Sequence, residues 1–339
     1  MKPKSGEIYF VRETVLGSND VSSFVKIGLV ADRDGRDSAD RLLEHQTGNP
    51  RRLFNQEVIK TPAVHRVEAL MHRLYAPIRV SGEWFNFADE TGVNEAINKV
   101  KSLAKEMSQY EPIFEKAEEL AKVESKDGVI PVTPKIEGIV SRWSIAKTKL
   151  SICDDIDDAI TSMFVQAIAA GADTKGAVES KTITPEPKFS VTAFRKDHKE
   201  LAASFDEYVD DWKQTFKATI DLVSTEALDG EFLDQLATIE SLVAKVAKVE
   251  DSYLLNEPKL LLLNLASLAQ WDFDLADAEL RLEVGDHEGI EGVCTWSRKM
   301  GKKAVFNKGR FAEEQPDLWL EYTLSKESFS RLVVSRKKI

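Results

Sequence analysis

Within the first 92 residues stand Tyr9, then Lys26 beside Gly28, then Arg41, then Glu68 with His72 four residues on, then Gly82-Glu83-Trp84-Phe85. Hydrolysis of a phosphate diester needs a base, a cation for the phosphate and a ligand for one metal ion, and these side chains supply all three. An ammonium favours ionisation of a nearby phenol. Lys26 is therefore expected to lower the pKa of Tyr9 from about 10, or, partly desolvated, to take the proton itself. The other reading of Lys26 is a simple phosphate contact. Arg41 is the expected phosphate cation, with Arg33 and Arg36 as competitors, and His45 lies one helical turn after it. Glu68, a hard oxygen ligand, points to one Mg2+ or Mn2+ ion. His65, Glu68 and His72 share one helical face. A zinc site is disfavoured there because the outer pair lie about 10 Å apart along the helix. His72 either orients Glu68 or the phosphate, or is a core histidine.

These residues need elements to hold them. Gly6 to Val11 and Ser23 to Leu29 read as strands joined by the turn Gly17-Ser18-Asn19-Asp20. Their alternation puts Ile8, Phe10, Val25 and Ile27 on one face and Tyr9, Lys26 and Gly28 on the other. Ser38 is expected to cap a helix ending before Thr47-Gly48-Asn49-Pro50. Phe54 to Lys60 reads as a third strand. Pro62 is expected to open a helix from Ala63 to Tyr75, with Val67, Leu70, Met71 and Leu74 as its apolar stripe. Trp84 and Phe85 read as core, Glu83 as an outer acid or a partner of Arg79.

Glu7-Ile8-Tyr9, Lys26-Ile27-Gly28, Arg41, Glu68-x3-His72 and Gly82-Glu83-Trp84-Phe85, in this order, resemble the GIY-YIG endonuclease superfamily, and most its phage and bacterial branch with a KIG second motif. The resemblance covers about a quarter of the chain. Glu7 stands where that family has its first glycine, and Lys26 where it has a tyrosine. The resemblance implies a three-stranded antiparallel sheet with flanking helices and hydrolysis assisted by one divalent ion. It implies that Tyr9 assists water activation, Arg41 binds the scissile phosphate and Glu68 ligates the metal. It also implies defence against foreign DNA, or action in a mobile element, as the setting, and a weaker role for Asn86.

Beyond Phe87 the chain becomes charged and helical in period. The expected organisation is an N-terminal unit over 1–92, a helical connector over 93–187 with flexible linkers near 125–135 and 171–187, a long-helix, coiled-coil-like region over 188–285, and a basic mixed segment over 286–339. Leu201, Phe205, Tyr208, Trp212, Phe216 and Ile220 recur at three or four, as do Leu236, Ile239, Val243 and Val246, which suggests an internal helical hairpin or a dimer interface. Strands are expected at 304–307, 319–324 and 332–334. The fold class expected is thus α+β at the N-terminus, then mainly α, then a small mixed or β segment.

Of the net charge of −11, residues 1–90 contribute 0, residues 91–294 contribute −17 and residues 295–339 contribute +6. An acidic centre repels nucleic acid, so phosphate contacts are expected from the N-terminal unit and from Arg298, Lys299, Lys302 and Lys303 in the basic tail. Cys153 and Cys294 lie in no metal or redox spacing and read as idle thiols in a reducing compartment. No leader segment is recognisable, and Leu260 to Leu268 is too short and too interrupted to span a membrane, so a cytoplasmic location without membrane contact is expected. The function expected is a metal-dependent nuclease favouring DNA over RNA, with a homo-oligomer through 188–285 or a protein partner on the acidic helical region. The alternatives are an inactive nucleic-acid-binding module and a helical interaction protein.

Overall fold

The computed structural model describes residues 2–32 and 35–335; Arg33 lies outside them. β1 (Gly6–Thr14) and β2 (Val21–Ala31) form the expected hairpin. Its turn passes through Gly17, whose φ of +77° is open to glycine and strained for other residues. The chain then runs through α1 (Ser38–Gln46), β3 (Leu53–Thr61), α2 (Val64–Leu74), β4 (Arg79–Ser81) and β5 (Trp84–Asn86). The sheet is antiparallel, in the order β3-β1-β2-β5-β4, so it has five strands where three were expected. β4 and β5 hold three residues each, too few to display an alternating pattern. They join because β5 pairs with the free edge of β2, Phe85 opposite Val25 and Trp84 opposite Lys26.

One face of this sheet buries Ile8, Phe10, Val25 and Ile27 against α2 and α3 (Glu90–Ser108). The other carries Tyr9, Val11, Val30 and Leu53 beneath Leu42 of α1. Two helix starts differ from expectation. Asp37, rather than Ser38, caps α1, accepting from the N–H groups of Ala39 and Asp40. Ser38 is buried instead and donates its N–H to Glu7 Oε2 at 3.0 Å, so Glu7 anchors α1 to β1. Pro62 precedes Ala63, the cap of α2, rather than opening the helix itself.

After α4 (Glu111–Leu120), β6 (Lys126–Ile130) and α5 (Pro134–Ala169) come β7 (Val178–Ile183), β8 (Lys188–Phe189), α6 (Val191–Asp197), α7 (Lys199–Ser204), β9 (Asp206–Ala218) and α8 (Gly230–Ala244). The chain ends with α9 (Asn256–Val284), β10 (His287–Ile290), β11 (Cys294–Phe306), α10 (Lys308–Glu314), α11 (Pro316–Glu321), β12 (Thr323–Leu324) and β13 (Phe329–Val334). The molecule is α+β, with a second sheet in the order β6-β10-β11-β9. α9 joins the two halves. Its Trp271 enters the core of the first sheet, 5.5 Å from the ring of Phe114 and 6.0 Å from that of Tyr110. Its Leu262 and Leu265 pack with α5 and α8.

Several expectations for this region are corrected. Residues 206–218 are a strand, because Tyr208, Trp212 and Phe216 are four apart and four is an even number: the spacing suits one face of a strand as well as one face of a helix. Val209, Thr215 and the aromatic residues favour the strand. The stripe of α8 does form a helix, and its Leu236 and Ile239 are buried with Leu262 and Leu265 of α9, which is the internal form of the pairing expected for it. The two stretches read as linkers contain β6, paired with β10, and β7, paired with β13. Near the C-terminus, residues 304–306 close a longer strand, 319–321 are the end of α11 while 323–324 form β12, and 332–334 lie in β13 as expected.

Arg298 is also corrected. It is fully buried and donates to the carbonyl oxygens of Leu120 at 2.9 Å, Gly285 at 2.8 Å and His287 at 2.8 Å. Leu120 ends α4 and Gly285 caps α9, so one guanidinium satisfies two helix C-termini and cannot reach a phosphate. Cys153 and Cys294 are both buried free thiols. Among the described residues no helix is long and apolar enough to cross a membrane. Replacing Arg298 by Met should cost about 3 to 5 kcal/mol, since three carbonyls would be left without a charged donor in a buried place. Chemical denaturation against the parent protein measures this.

Candidate active site

Tyr9 stands directly across from Gly28 and Val11 from Lys26. Both pairs lie on the face covered by α1. The ring of Tyr9 fills the space above Gly28: a Cβ there would sit 2.5 Å from the tyrosine hydroxyl oxygen. This close approach accounts for the glycine. Tyr9 is 1% exposed and Lys26 is 7% exposed, so the sheet face is a covered site rather than an open surface.

α1 presents Arg41, Leu42 and His45 to this face. His45 Nε2 lies 3.5 Å from the Tyr9 hydroxyl, at the long limit of hydrogen-bond distances. Burial, then the charges of Lys26 and Arg41, lower the pKa of His45, so its imidazole is neutral at neutral pH. Arg41 Nη1 also donates to Glu44 Oε2 at 2.6 Å. Arg36 pairs with the same Glu44, away from the phenol.

The expected activation of Tyr9 by Lys26 is not what the structure holds. Lys26 is ion-paired with Glu83, reached through the β2–β5 pairing. Burial and the Glu83 carboxylate push the Tyr9 pKa up, against a smaller opposite effect of Arg41. Tyr9 is therefore a phenol, an O–H donor rather than a phenolate. Arg79, an expected partner of Glu83, packs over the ring of Phe85, 5.5 Å from its centroid, where burial lowers its pKa against the opposing charges of Glu68 and Glu83.

Glu68 lies on α2 in a cavity of about 130 Å³. His65, His72, Arg79, Gly82 and Glu83 share its walls, so Glu83 connects the Glu68 cavity to the Tyr9 cluster. The opposite wall comes from α9: Leu260, Leu263, Asn264 and Ser267. His65 and Ser267 also line a cleft of about 990 Å³ that extends along α9 to β9.

His72 donates from Nε2 to the Ile27 carbonyl at 2.8 Å, and burial drops its pKa to about 4. It is a neutral core histidine that ties α2 to β2, not a cation for phosphate. Lys299 and Lys303 are exposed on β11, and Lys302 faces the other side of that strand, opposite Asp210. Asn86 is exposed on β5, opposite Phe24.

Tyr9, Lys26 and Arg41 are thus brought together on one face, and Glu68 lies across Glu83 from them. His45, Glu83, Arg79 and the α9 wall complete the site. His45 was legible as the residue one helical turn after Arg41. The α9 wall had no local signal, because it comes from some 190 residues farther along the chain.

Residues 6–103 match the T5orf172 domain. The match runs from β1 into α3, past the boundary at 92, and covers the whole five-stranded sheet. It corrects the assignment to the GIY-YIG superfamily: the family found over these residues is the T5orf172 domain, and no GIY-YIG family model matches. Among curated proteins and solved structures, no match is found.

His72 makes stability pH-dependent. Its folded pKa lies below the unfolded value near 6.5, so the unfolded chain takes the proton first. This contribution is complete above about pH 6.5 and is lost as pH falls toward 4. Wild-type protein should lose about 2 to 3 kcal/mol more than His72→Gln between pH 7 and 4.5, as read from denaturant midpoints.

Proposed function

We propose that the sheet carrying Tyr9 hydrolyses phosphodiester bonds of nucleic acid, with DNA the favoured substrate. The observation that carries this reading is convergence. A phenol, a neutral imidazole, a guanidinium and a carboxylate cavity meet from β1, α1 and α2, around an ion pair made by β2 and the β4–β5 turn. The match of residues 6–103 to the T5orf172 domain supports a nuclease-like reading.

The donor set suits one magnesium or manganese ion. Glu68 offers a hard oxygen ligand in a cavity with room for several waters, as such ions require. Among the described residues no three His, Cys, Asp or Glu side chains form a metal cage, so water and phosphate oxygens would complete the coordination. Glu68 would hold the ion, which when bound would neutralise charge on the phosphate and the leaving oxygen.

The remaining roles belong to the chain. Arg41 holds a phosphate oxygen from the exposed side of the cluster. His45, kept neutral by burial and two nearby cations, accepts the proton of the attacking water, directly or through the Tyr9 hydroxyl. When Tyr9 relays, its O–H passes to His45 Nε2 as the phenol oxygen takes the proton of water, so the phenol never ionises for long. Lys26 and Glu83 fix each other. The pair is net neutral, so it keeps a bare carboxylate off the phosphate path. As the new P–O bond forms, the scissile P–O bond breaks, its leaving oxygen takes a proton from solvent, and protonated His45 returns its own proton to solvent.

Purified protein incubated with single-stranded and duplex DNA and with RNA, in magnesium or manganese, should cleave DNA. Glu68→Gln should lower that cleavage by roughly 10²- to 10⁴-fold, the range for loss of one essential group. Cleavage that survives Glu68→Gln, or no cleavage under any of these conditions, would contradict the reading.

A further inference from the structure

β9 and β11 form a two-stranded ribbon of 13 residue pairs that extends beyond the rest of its sheet. Its two faces differ in kind. One carries Phe216, Trp296, Arg298 and Phe306; the last three are buried and Phe216 is partly so. The other carries Lys213, Thr215 and Lys217 on β9 and Thr295, Ser297, Lys299 and Lys303 on β11, all exposed.

On this second face Lys213 and Lys299 are directly opposite each other. Like charges in that position destabilise a sheet. Among the described residues none of Lys213, Lys217, Lys299 and Lys303 has a carboxylate ion-pair partner. Of the two acids on the same face, Glu207 accepts a bond from Asn307, and Asp211 stands across from Gly301. The lysines sit at three levels along the ribbon: Lys217, then Lys213 with Lys299, then Lys303. Each level is four residues from the next, about 13 Å at the rise of a strand. That spacing is close to the major-groove width of about 12 Å, which a two-stranded ribbon can enter or cross.

We infer that this lysine face of the β9–β11 ribbon docks on duplex DNA, by binding the phosphates on both sides of a groove. It is an anchoring surface apart from the hydrolytic cluster: Gln214 and Phe216, which line the large cleft, point from the opposite face. The inference does not require hydrolysis. Half of the surface comes from Lys213 and Lys217, inside the acidic stretch of the chain, and two of the four basic residues expected in the tail do not belong to it. Arg298 is buried, and Lys302 faces away.

The test is binding of full-length protein to a labelled random-sequence DNA duplex in EDTA, where no metal-assisted cleavage occurs, over a range of salt. The double variants Lys213→Gln/Lys299→Gln and Lys217→Gln/Lys303→Gln should each weaken binding by roughly tenfold. Each should reduce the steepness of log affinity against log salt by about two, one unit for each lysine that no longer neutralises a phosphate. Lys302→Gln should change neither. The first double variant should melt no lower than wild type, because it removes a repulsion, which separates weaker phosphate binding from impaired folding. Wild type that does not bind the duplex, double variants with unchanged affinity and salt slope, or an equal effect of Lys302→Gln would overturn the inference. Tighter binding of a single strand of the same length than of the duplex would also overturn it.

Discussion

The site depends on a missing side chain. Tyr9 can lie within the sheet face only because residue 28 has no Cβ, and the register that places them across from each other also places Lys26 across from Val11. With the phenol folded into the sheet, α1 can close over it and bring Arg41 and His45 within reach. That closure has an electrostatic result. A phenol so buried beside a carboxylate holds its proton, while an imidazole buried beside two cations gives its proton up. The two neighbours are left as donor and acceptor, the polarity a proton relay needs.

Glu83 sets the remaining charges. It fixes Lys26, raises the Tyr9 pKa and shares a cavity with Glu68, so the phenol side and the carboxylate side of the site meet at one residue. The wall from α9 makes this arrangement a property of the whole chain. Trp271 is embedded in the core of the first sheet, and Arg66 bonds to Asp272 at 2.9 Å, so the helix that closes the Glu68 cavity is held to the unit that carries it. A charged arginine serves a similar end elsewhere: Arg298 joins the C-termini of α4 and α9 to the second sheet.

Local pattern was legible in the sequence where one face of an element is buried and the other is not. The β1–β2 hairpin, the parity that unites Tyr9, Lys26 and Gly28, and the apolar stripe of α2 follow from periods of 2 and 3.6. Short strands lacked enough residues to show a period, which hid β4 and β5. Aromatic residues four apart satisfied both periods and made β9 look helical. Charge-based reasoning failed in a different way. A basic residue near the C-terminus was read as surface, although Arg298 is the most enclosed cation of its strand, and the lysines of β9 were obscured by the acidic segment around them. The partner of a charged group is set by tertiary packing: Lys26 beside Tyr9 in the pleat suggested activation of the phenol, and only the β2–β5 pairing reveals that Glu83 claims the ammonium.

The central claim is that Tyr9 acts as a protonated relay and that His45 is the base. The rate of DNA cleavage as a function of pH tests it most directly, with wild type, His45→Gln and Tyr9→Phe compared under single-turnover conditions. Because His45 must be neutral to act and its pKa is lowered, the wild-type rate should fall only on the acid side, below about pH 6.5. His45→Gln should lose that acid limb together with roughly 10²- to 10⁴-fold of the rate, while Tyr9→Phe should keep the limb at a reduced rate. A His45→Gln enzyme with the wild-type profile, or a wild-type rate that climbs through the alkaline range with ionisation of a phenol, would contradict the account.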